Sequence, residues 1–275
     1  MYSSSPSSQQ SLVCNQLNTS SRCCSGIGAA IAKALAKEGA IVVIHGRREE
    51  QANRVAQEVS KDGGQAFVAI GDLATNEGAN QVAEKILSTL DGVEILVNNA
   101  GSYEDRDWIN SQPEEWAEVY NTNVISMVRV IQLLVPRMKQ LGWGRIIQIA
   151  SGLATQPNAS LPNYQVTKAA TLNLTVSLAK ELFQTGITVN TVSPGLIATE
   201  GAKNIFHQIA LHKGWGKEWA DIEKHAMQEY WSNPTGRLGR PDEIANMIAY
   251  LASPLADYIN GANIRVDGGG VGAIN

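Results

Sequence analysis

The sequence predicts a single-domain α/β fold, a doubly wound parallel sheet with helices on both faces. Three observations carry that expectation. Short runs rich in Val and Ile alternate with longer stretches of helical periodicity from Ser25 to the C-terminus. The runs are continuous rather than alternating, as strands buried on both faces require. No linker divides the chain, and 275 residues are ordinary for one α/β domain.

The runs lie at 40–44 (AIVVI), 66–70 (AFVAI), 93–97 (VEILV), 145–150 (RIIQIA), 187–192 (ITVNTV) and 263–266 (NIRV). Helical stretches fall at 29–38, 49–61, 77–90, 114–140, 164–183 and 241–252. Gly39 stands where a helix C′ residue belongs, and Pro241 followed by Asp242 and Glu243 suits a helix start. Strand, helix, strand repeated in this way implies right-handed crossovers. Residues 199–235 carry Trp215, Trp219 and Trp231 without a strand signal and read as a helical excursion.

Residues 1–24 differ in composition from the rest: rich in Ser, Gln and Asn, with no acidic residue and one base, Arg22. A signal peptide needs a basic start and an apolar stretch of ~7–15 residues, and neither is present. A Ser-rich, acid-poor transit peptide fits the composition better, but cleaving it would remove the strand that must precede Gly26. "CNQLNTS" does not read as that strand, because burying Asn15, Gln16 and Asn18 would cost of order 1–3 kcal/mol each. The expectation is an atypical terminus over 1–24, disordered or mis-read through a shifted frame, a wrong splice or a mis-set start, with the domain spanning 25–275.

Hydrophobic residues at 44% and charged residues at 17% describe a soluble globular chain. The net charge of −4, from 22 basic and 26 acidic residues without a basic run, gives no electrostatic support to a nucleic-acid or membrane partner. No stretch approaches the ~18 apolar residues of a bilayer span. Cys14, Cys23 and Cys24 are confined to the terminus, so a disulfide scaffold is not expected and the reducing cytoplasm is. No metal site is expected, since none of the four histidines stands near them at ligand spacing.

Ligands of such a sheet bind at the carboxyl ends of its strands. "GIG" (Gly26, Ile27, Gly28) opens a helix whose positive end suits a pyrophosphate, although alone it is a weak signal. Arg47 and Arg48 follow the 40–44 run. Guanidinium groups there match a ribose 2′-phosphate, and basic residues oppose the helix dipole, so NADP(H) is favoured over NAD(H). Asp72 follows 66–70 and reads either as an adenine contact or as a helix N-cap. "NNAG", with Asn98, Ala100 and Gly101, follows 93–97 and reads as a cofactor-facing strand end or a plain turn.

Tyr164 and Lys168 share one helical face at i, i+4 spacing. A phenol near pKa ~10 is a poor base at neutral pH, and a neighbouring ammonium is expected to pull it down. Ser151 ends the 145–150 run, 13 residues before Tyr164, with a hydroxyl able to polarise a carbonyl. Asn123 adds a carboxamide within a helical pattern, as a site residue or as a satisfied core polar group.

From Ser25 onward these marks resemble the short-chain dehydrogenase/reductase family, and within it the 3-oxoacyl-acyl-carrier-protein reductases. The motifs are "SGIG", "DL", "NNAG", the Asn of "NTNV", Ser plus "YxxxK", "SPG" (193–195) and "GRLGRPDEIA" through "VDGG". The resemblance implies a Rossmann-like NAD(P)-binding domain and a homotetramer. It implies that Tyr164 is the general acid/base, that Lys168 lowers its pKa and holds the nicotinamide ribose, that Ser151 orients substrate, and that Asn123 anchors a proton-relay water. Pro194, Gly195 and Ile197 would line the nicotinamide, Asn98 the adenine ribose and Asp72 the adenine, with Leu73, Ala100, Gly101 and Thr199 also among the cofactor contacts.

Two departures stand out. Arg22 occupies the place of the family's turn glycine, and residues 199–235 form a longer, Trp-rich connection that in the family covers substrate. The expected function is NADP(H)-dependent interconversion of a ketone and a secondary alcohol, 3-oxoacyl reduction first and a sugar, polyol or cyclic alcohol second. A catalytically silent binding protein with a damaged phosphate loop is the alternative of another class.

Overall fold

The computed structural model describes residues 11–15, 26–90, 92–103 and 107–273. The strands are β1 (Ser11–Asn15), β2 (Ile41–Gly46), β3 (Gln65–Ile70), β4 (Ile95–Asn98), β5 (Gly144–Ile149), β6 (Ile187–Pro194) and β7 (Asn263–Val266). All pair in parallel, in the order 3-2-1-4-5-6-7. The order reverses between β1 and β4, which puts a crevice at the carboxyl edge there.

Helices α1 (Ile27–Lys37), α2 (Glu49–Lys61) and α9 (Pro241–Ala252) cover one face, with Ile31, Leu35, Val55 and Ile248 buried with Val42 and Ile147. On the other face lie α3 (Asn76–Thr89), α5 (Ser126–Leu141) and α6 (Pro162–Glu181). There Ile86, Leu134 and Met138 are buried with Val43, Leu96 and Ile146. These strand residues alternate between faces as the pleat dictates. The continuous Val/Ile runs therefore serve two cores at once.

The sequence is corrected in two places. A strand does form within residues 1–24: Ser11–Asn15 occupies the centre of the sheet, in register with both β2 and β4. The physical reason is that both neighbours present ladder groups inward, and the short run Leu12-Val13-Cys14 satisfies them; Asn15, one of the three polar residues expected to oppose a strand, ends it. Residues 1–10 and 16–25, including Arg22, Cys23 and Cys24, lie outside the described residues.

The second correction concerns the helix expected over 114–140. It is α4 (Pro113–Tyr120), a π-helical turn at Asn121–Ile125, then α5. The wide turn holds Asn123, whose carboxamide bonds the strand-end loop opposite it, and such insertions recur at functional sites.

The 199–235 excursion contains α7 (Glu200–Lys213) and α8 (Trp219–Glu229). They enclose their own apolar centre of Phe206, Ala210, Trp215, Ile222, Ala226, Met227 and Leu238. Arg240 grips Glu223 through two bonds of 2.6 and 3.1 Å, and Arg237 grips Glu243 through two of 2.9 and 2.6 Å. The first of these clamps joins α8 to the residue that caps α9.

Candidate active site

The sequence-predicted residues converge at the carboxyl edge. Ser151 follows β5 and caps a short 3₁₀ turn, its Oγ accepting from the Leu153 amide at 3.2 Å. Tyr164 sits in the first turn of α6, its phenol within the electrostatic reach of the Ser151 hydroxyl. Leu161, which enters that helix, holds a left-handed φ of 51°, a conformation costly for a non-glycine residue and typical of functional sites.

One turn along, Lys168 is buried, and its Nζ donates to the Ile149 carbonyl at 2.8 Å. Nζ lies 5.5 Å from the centre of the Tyr164 ring. Gly101 completes the convergence: a β-carbon there would stand 3.4 Å from both Lys168 Nζ and Asn123 Oδ1. The "NNAG" strand end is therefore a close approach, which a plain turn would not require.

The buried Asn123 side chain is occupied. Its Oδ1 accepts from the Ser102 amide at 2.7 Å, while Nδ2 donates to the Ser102 carbonyl at 2.9 Å and to Thr167 Oγ1 at 3.0 Å. Thr167 in turn donates to the Tyr164 carbonyl at 2.7 Å. Asn123 thus ties the strand-end loop to the helix that carries Tyr164 and Lys168.

The electrostatics differ from the expectation that Lys168 lowers the phenol. Burial pushes Tyr164 up to about 12; the Ser151 hydroxyl works against this and the nearby Tyr103 phenol adds to it. Burial pushes Lys168 down to about 8. The physical reason is that Lys168 directs its proton at a backbone carbonyl in surroundings that disfavour both charges. At neutral pH the phenol keeps its proton and the amine is predominantly charged.

The remaining positions line the same edge. Gly26 begins α1 and packs on Thr199, whose Oγ1 caps α7 by accepting from the Ala202 amide at 3.2 Å. Arg47 and Arg48 follow β2, and Arg47 lies 3.8 Å from the Asp72 carboxylate. Asp72 is not the cap of α3, a place taken by Thr75; its Oδ1 accepts from the Ala74 amide at 3.0 Å. Asn98 ends β4 and is buried, with Ala100 just beyond it and Leu73 buried beside the neighbouring strand end. Pro194 ends β6, Gly195 follows it, and Ile197 pairs with Gly239.

Sequence reasoning missed two neighbours, Tyr103 and Val271, and named a third, Trp231, only as part of the 199–235 excursion. Tyr103 meets Tyr164 edge to face at 6.1 Å; its position two residues after "NNAG" was the available signal. Trp231 is wedged between Gly152 and Gly270, where β-carbons would fall 3.3 Å and 2.5 Å from its ring. Val271 is buried against Gly152 as well, so the C-terminal strap walls the Ser151 side. No local pattern announces that long-range packing.

A family model described as enoyl-(acyl carrier protein) reductase matches residues 23–270. The chain belongs to the short-chain dehydrogenase/reductase family. It is 38% identical to the uncharacterized oxidoreductase YvaG of Bacillus subtilis, over 89% of this chain and 92% of that one. To the 3-oxoacyl-[acyl-carrier-protein] reductase FabG of Aquifex aeolicus it is 37% identical, over 89% and 92%. A crystal structure of L-sorbose reductase from Gluconobacter frateurii, complexed with NADPH and L-sorbose, superposes with a TM-score of 0.88 at 34% identity, over 97% of this chain and 98% of that one. The chain is thus an NAD(P)-dependent oxidoreductase acting between ketone and alcohol. Among the described residues no helix is long and apolar enough to cross a membrane, and no group of three or more His, Cys, Asp or Glu is placed to hold a metal ion.

Proposed function

We propose that the protein interconverts a ketone and a secondary alcohol with NADP(H), Tyr164 giving its proton to the carbonyl oxygen during reduction. The observation that carries this reading is the buried Lys168, its Nζ 5.5 Å from the Tyr164 ring, beside a phenol that the Ser151 hydroxyl influences. With its phenol pushed up to about 12, Tyr164 holds a proton at neutral pH, as a general acid must. Ser151 donates to the same carbonyl oxygen and steadies the charge that develops there. Lys168, charged below about 8, sits where that charge and a cofactor ribose would meet. Asn123 holds these elements in place.

The residues present fit a nicotinamide dinucleotide by the chemistry of the donor set: a glycine-opened helix, two guanidinium groups and an ammonium along one crevice. Gly26, Ile27 and Gly28 would hold the pyrophosphate, and Arg47 and Arg48 the 2′-phosphate that favours NADP(H). Asp72, Leu73, Asn98, Ala100 and Gly101 would take the adenosine side. Lys168, Pro194, Gly195, Ile197 and Thr199 would take the nicotinamide side. The bound cofactor supplies the hydride in reduction and accepts it in oxidation.

For substrate, the 37% identity to a 3-oxoacyl reductase supports a 3-oxoacyl group, and the likeness to L-sorbose reductase supports a keto-sugar. The reading includes a cytoplasmic homotetramer, which rests on kinship, with exposed apolar Tyr120, Ile125, Val166 and Val176 available for subunit contact. Tyr164→Phe is the test. It should still quench or enhance NADPH fluorescence on binding while losing about 10²–10⁴-fold in kcat. Full turnover in that variant would remove the mechanism, and failure of the parent protein to bind NADPH would favour the silent binding protein.

A further inference from the structure

The loop that follows β3 is held from behind at four successive carbonyls. His45 Nε2 donates to the Gly71 carbonyl at 2.9 Å, and the Thr75 amide and hydroxyl both donate to that of Asp72 at 3.1 Å. The Leu73 carbonyl accepts from Arg129 Nη1 at 3.2 Å, and the Ala74 carbonyl from Asn121 Nδ2 at 3.0 Å. Arg129 also donates through Nε to Asn76 Oδ1 at 2.7 Å and through Nη1 to Asn121 Oδ1 at 2.9 Å. Arg129 and Asn121 thus reach the loop from 56 and 47 positions away.

The π-helical turn accounts for the meeting of two side chains eight residues apart. On a regular helix, at about 100° per residue, a separation of eight leaves side chains about 80° apart, whereas seven brings them to about 20°. A π turn takes up an extra residue, so Asn121 and Arg129 fall on one face. Asn123, two residues on, faces the other way, toward Ser102 and Thr167. One turn therefore sends a carboxamide to each of two strand-end loops.

From this arrangement we infer that Arg129, together with Asn121, is a positioning residue for the adenosine side of the cofactor site. The inference rests on the NADP(H) reading above and adds to it the groups that shape the loop. In that reading Asp72 and Leu73 meet adenosine from the front, while Arg129 and Asn121 act from behind without touching it. They draw the Leu73 and Ala74 carbonyls back, so the Asp72 carboxylate, 3.8 Å from Arg47, is presented in one geometry. A planar guanidinium suits the task because its fork holds three oxygens at set angles through charge-assisted bonds. Without it the loop must be ordered as the cofactor arrives, which weakens binding. The reacting groups, held by Asn123 and α6, should keep their rate.

The experiment compares the parent protein with Arg129→Leu, Arg129→Lys and Asn121→Ala. Kd for NADPH is read from nicotinamide fluorescence, and that for adenosine 2′,5′-bisphosphate, which lacks the nicotinamide, from its displacement of NADPH. Both should rise by at least about tenfold in Arg129→Leu and by about fivefold in Asn121→Ala. Arg129→Lys should fall between parent and Arg129→Leu, since an ammonium cannot span the three oxygens. At saturating NADPH, kcat with L-sorbose or an acetoacetyl thioester should stay within about threefold of the parent, whereas a loosened fold would lower affinity and kcat together. If Arg129→Leu melts before assay, Asn121→Ala and Arg129→Lys carry the same comparison. Kd values within about twofold of the parent in every variant overturn the positioning role and leave the ketone–alcohol reading standing, as does a loss of kcat matching the loss of affinity. A parent protein that binds neither NADPH nor the bisphosphate overturns the cofactor reading and this inference with it.

Discussion

Replacing Asn123 with alanine should destabilise the protein by about 2–6 kcal/mol. The figure follows from the three hydrogen bonds of its carboxamide. Two of them satisfy the amide and carbonyl of Ser102, a buried residue, and an orphaned buried backbone group costs about 1–3 kcal/mol. The third partner, the Thr167 hydroxyl, keeps the Tyr164 carbonyl and loses little. The sum is a large share of the ~5–15 kcal/mol that holds a typical domain together. For a chain of this size it corresponds to a fall in Tm of roughly 4–24 °C.

Urea unfolding followed by tryptophan fluorescence gives the number directly, provided the slope m is unchanged. Hydrogen exchange locates it: the Ser102 amide, protected in the parent, should exchange quickly in the variant. Asn123→Asp provides the comparison, since a carboxylate still accepts from that amide and should recover part of the protection. A variant Asn123→Ala within about 0.5 kcal/mol of the parent, its Ser102 amide still slow, would falsify the assignment of Asn123 as the tie between strand end and helix.

Further outcomes follow from the same structure. Arg47→Ala should raise KM for NADPH by at least about tenfold while leaving that for NADH within twofold, as expected for a guanidinium that pairs with a phosphate; equal effects on the two would refute 2′-phosphate recognition. His45, buried at the end of β2 with Nε2 2.9 Å from the Gly71 carbonyl, has its pKa lowered from 6.5 to about 4, chiefly by burial. Between those values the unfolded chain binds a proton that the folded chain refuses, so stability falls as pH falls from 6.5 to 4, by about 3 kcal/mol in all. In His45→Gln that part of the acid sensitivity should vanish in urea titrations at pH 7, 5.5 and 4; an identical slope in both proteins would show that other groups drive it.

Legibility in the sequence was uneven for physical reasons. Strand and helix order could be read from β2 onward because runs such as Val42–Ile44 and Ile146–Ile147 serve two cores at once, and no polar residue interrupts them. β1 was not legible, because a five-residue strand is specified by the ladders on either side of it rather than by its own composition. The i, i+4 spacing placed Tyr164 and Lys168 on one face, and the strand ends placed Ser151 and Gly101. Spacing does not say where a side chain sends its proton or how deeply it is buried, so the bond from Lys168 to the Ile149 carbonyl, and the burial that raises the phenol, required three dimensions. Tyr103 and Trp231 act through residues 61 and 79 positions away, beyond the reach of any local pattern.

The excursion around Trp215 shares no side chain with the two apolar layers beneath it. Cooperativity within a layer comes from common packing, so among the described residues this cap is tied to the sheet chiefly by polar contacts, the Arg240–Glu223 clamp foremost. Random replacement across 200–230, with Glu223 kept, should cost less in Tm than replacement in the layers beneath, which makes that stretch the place to begin altering what the enzyme accepts.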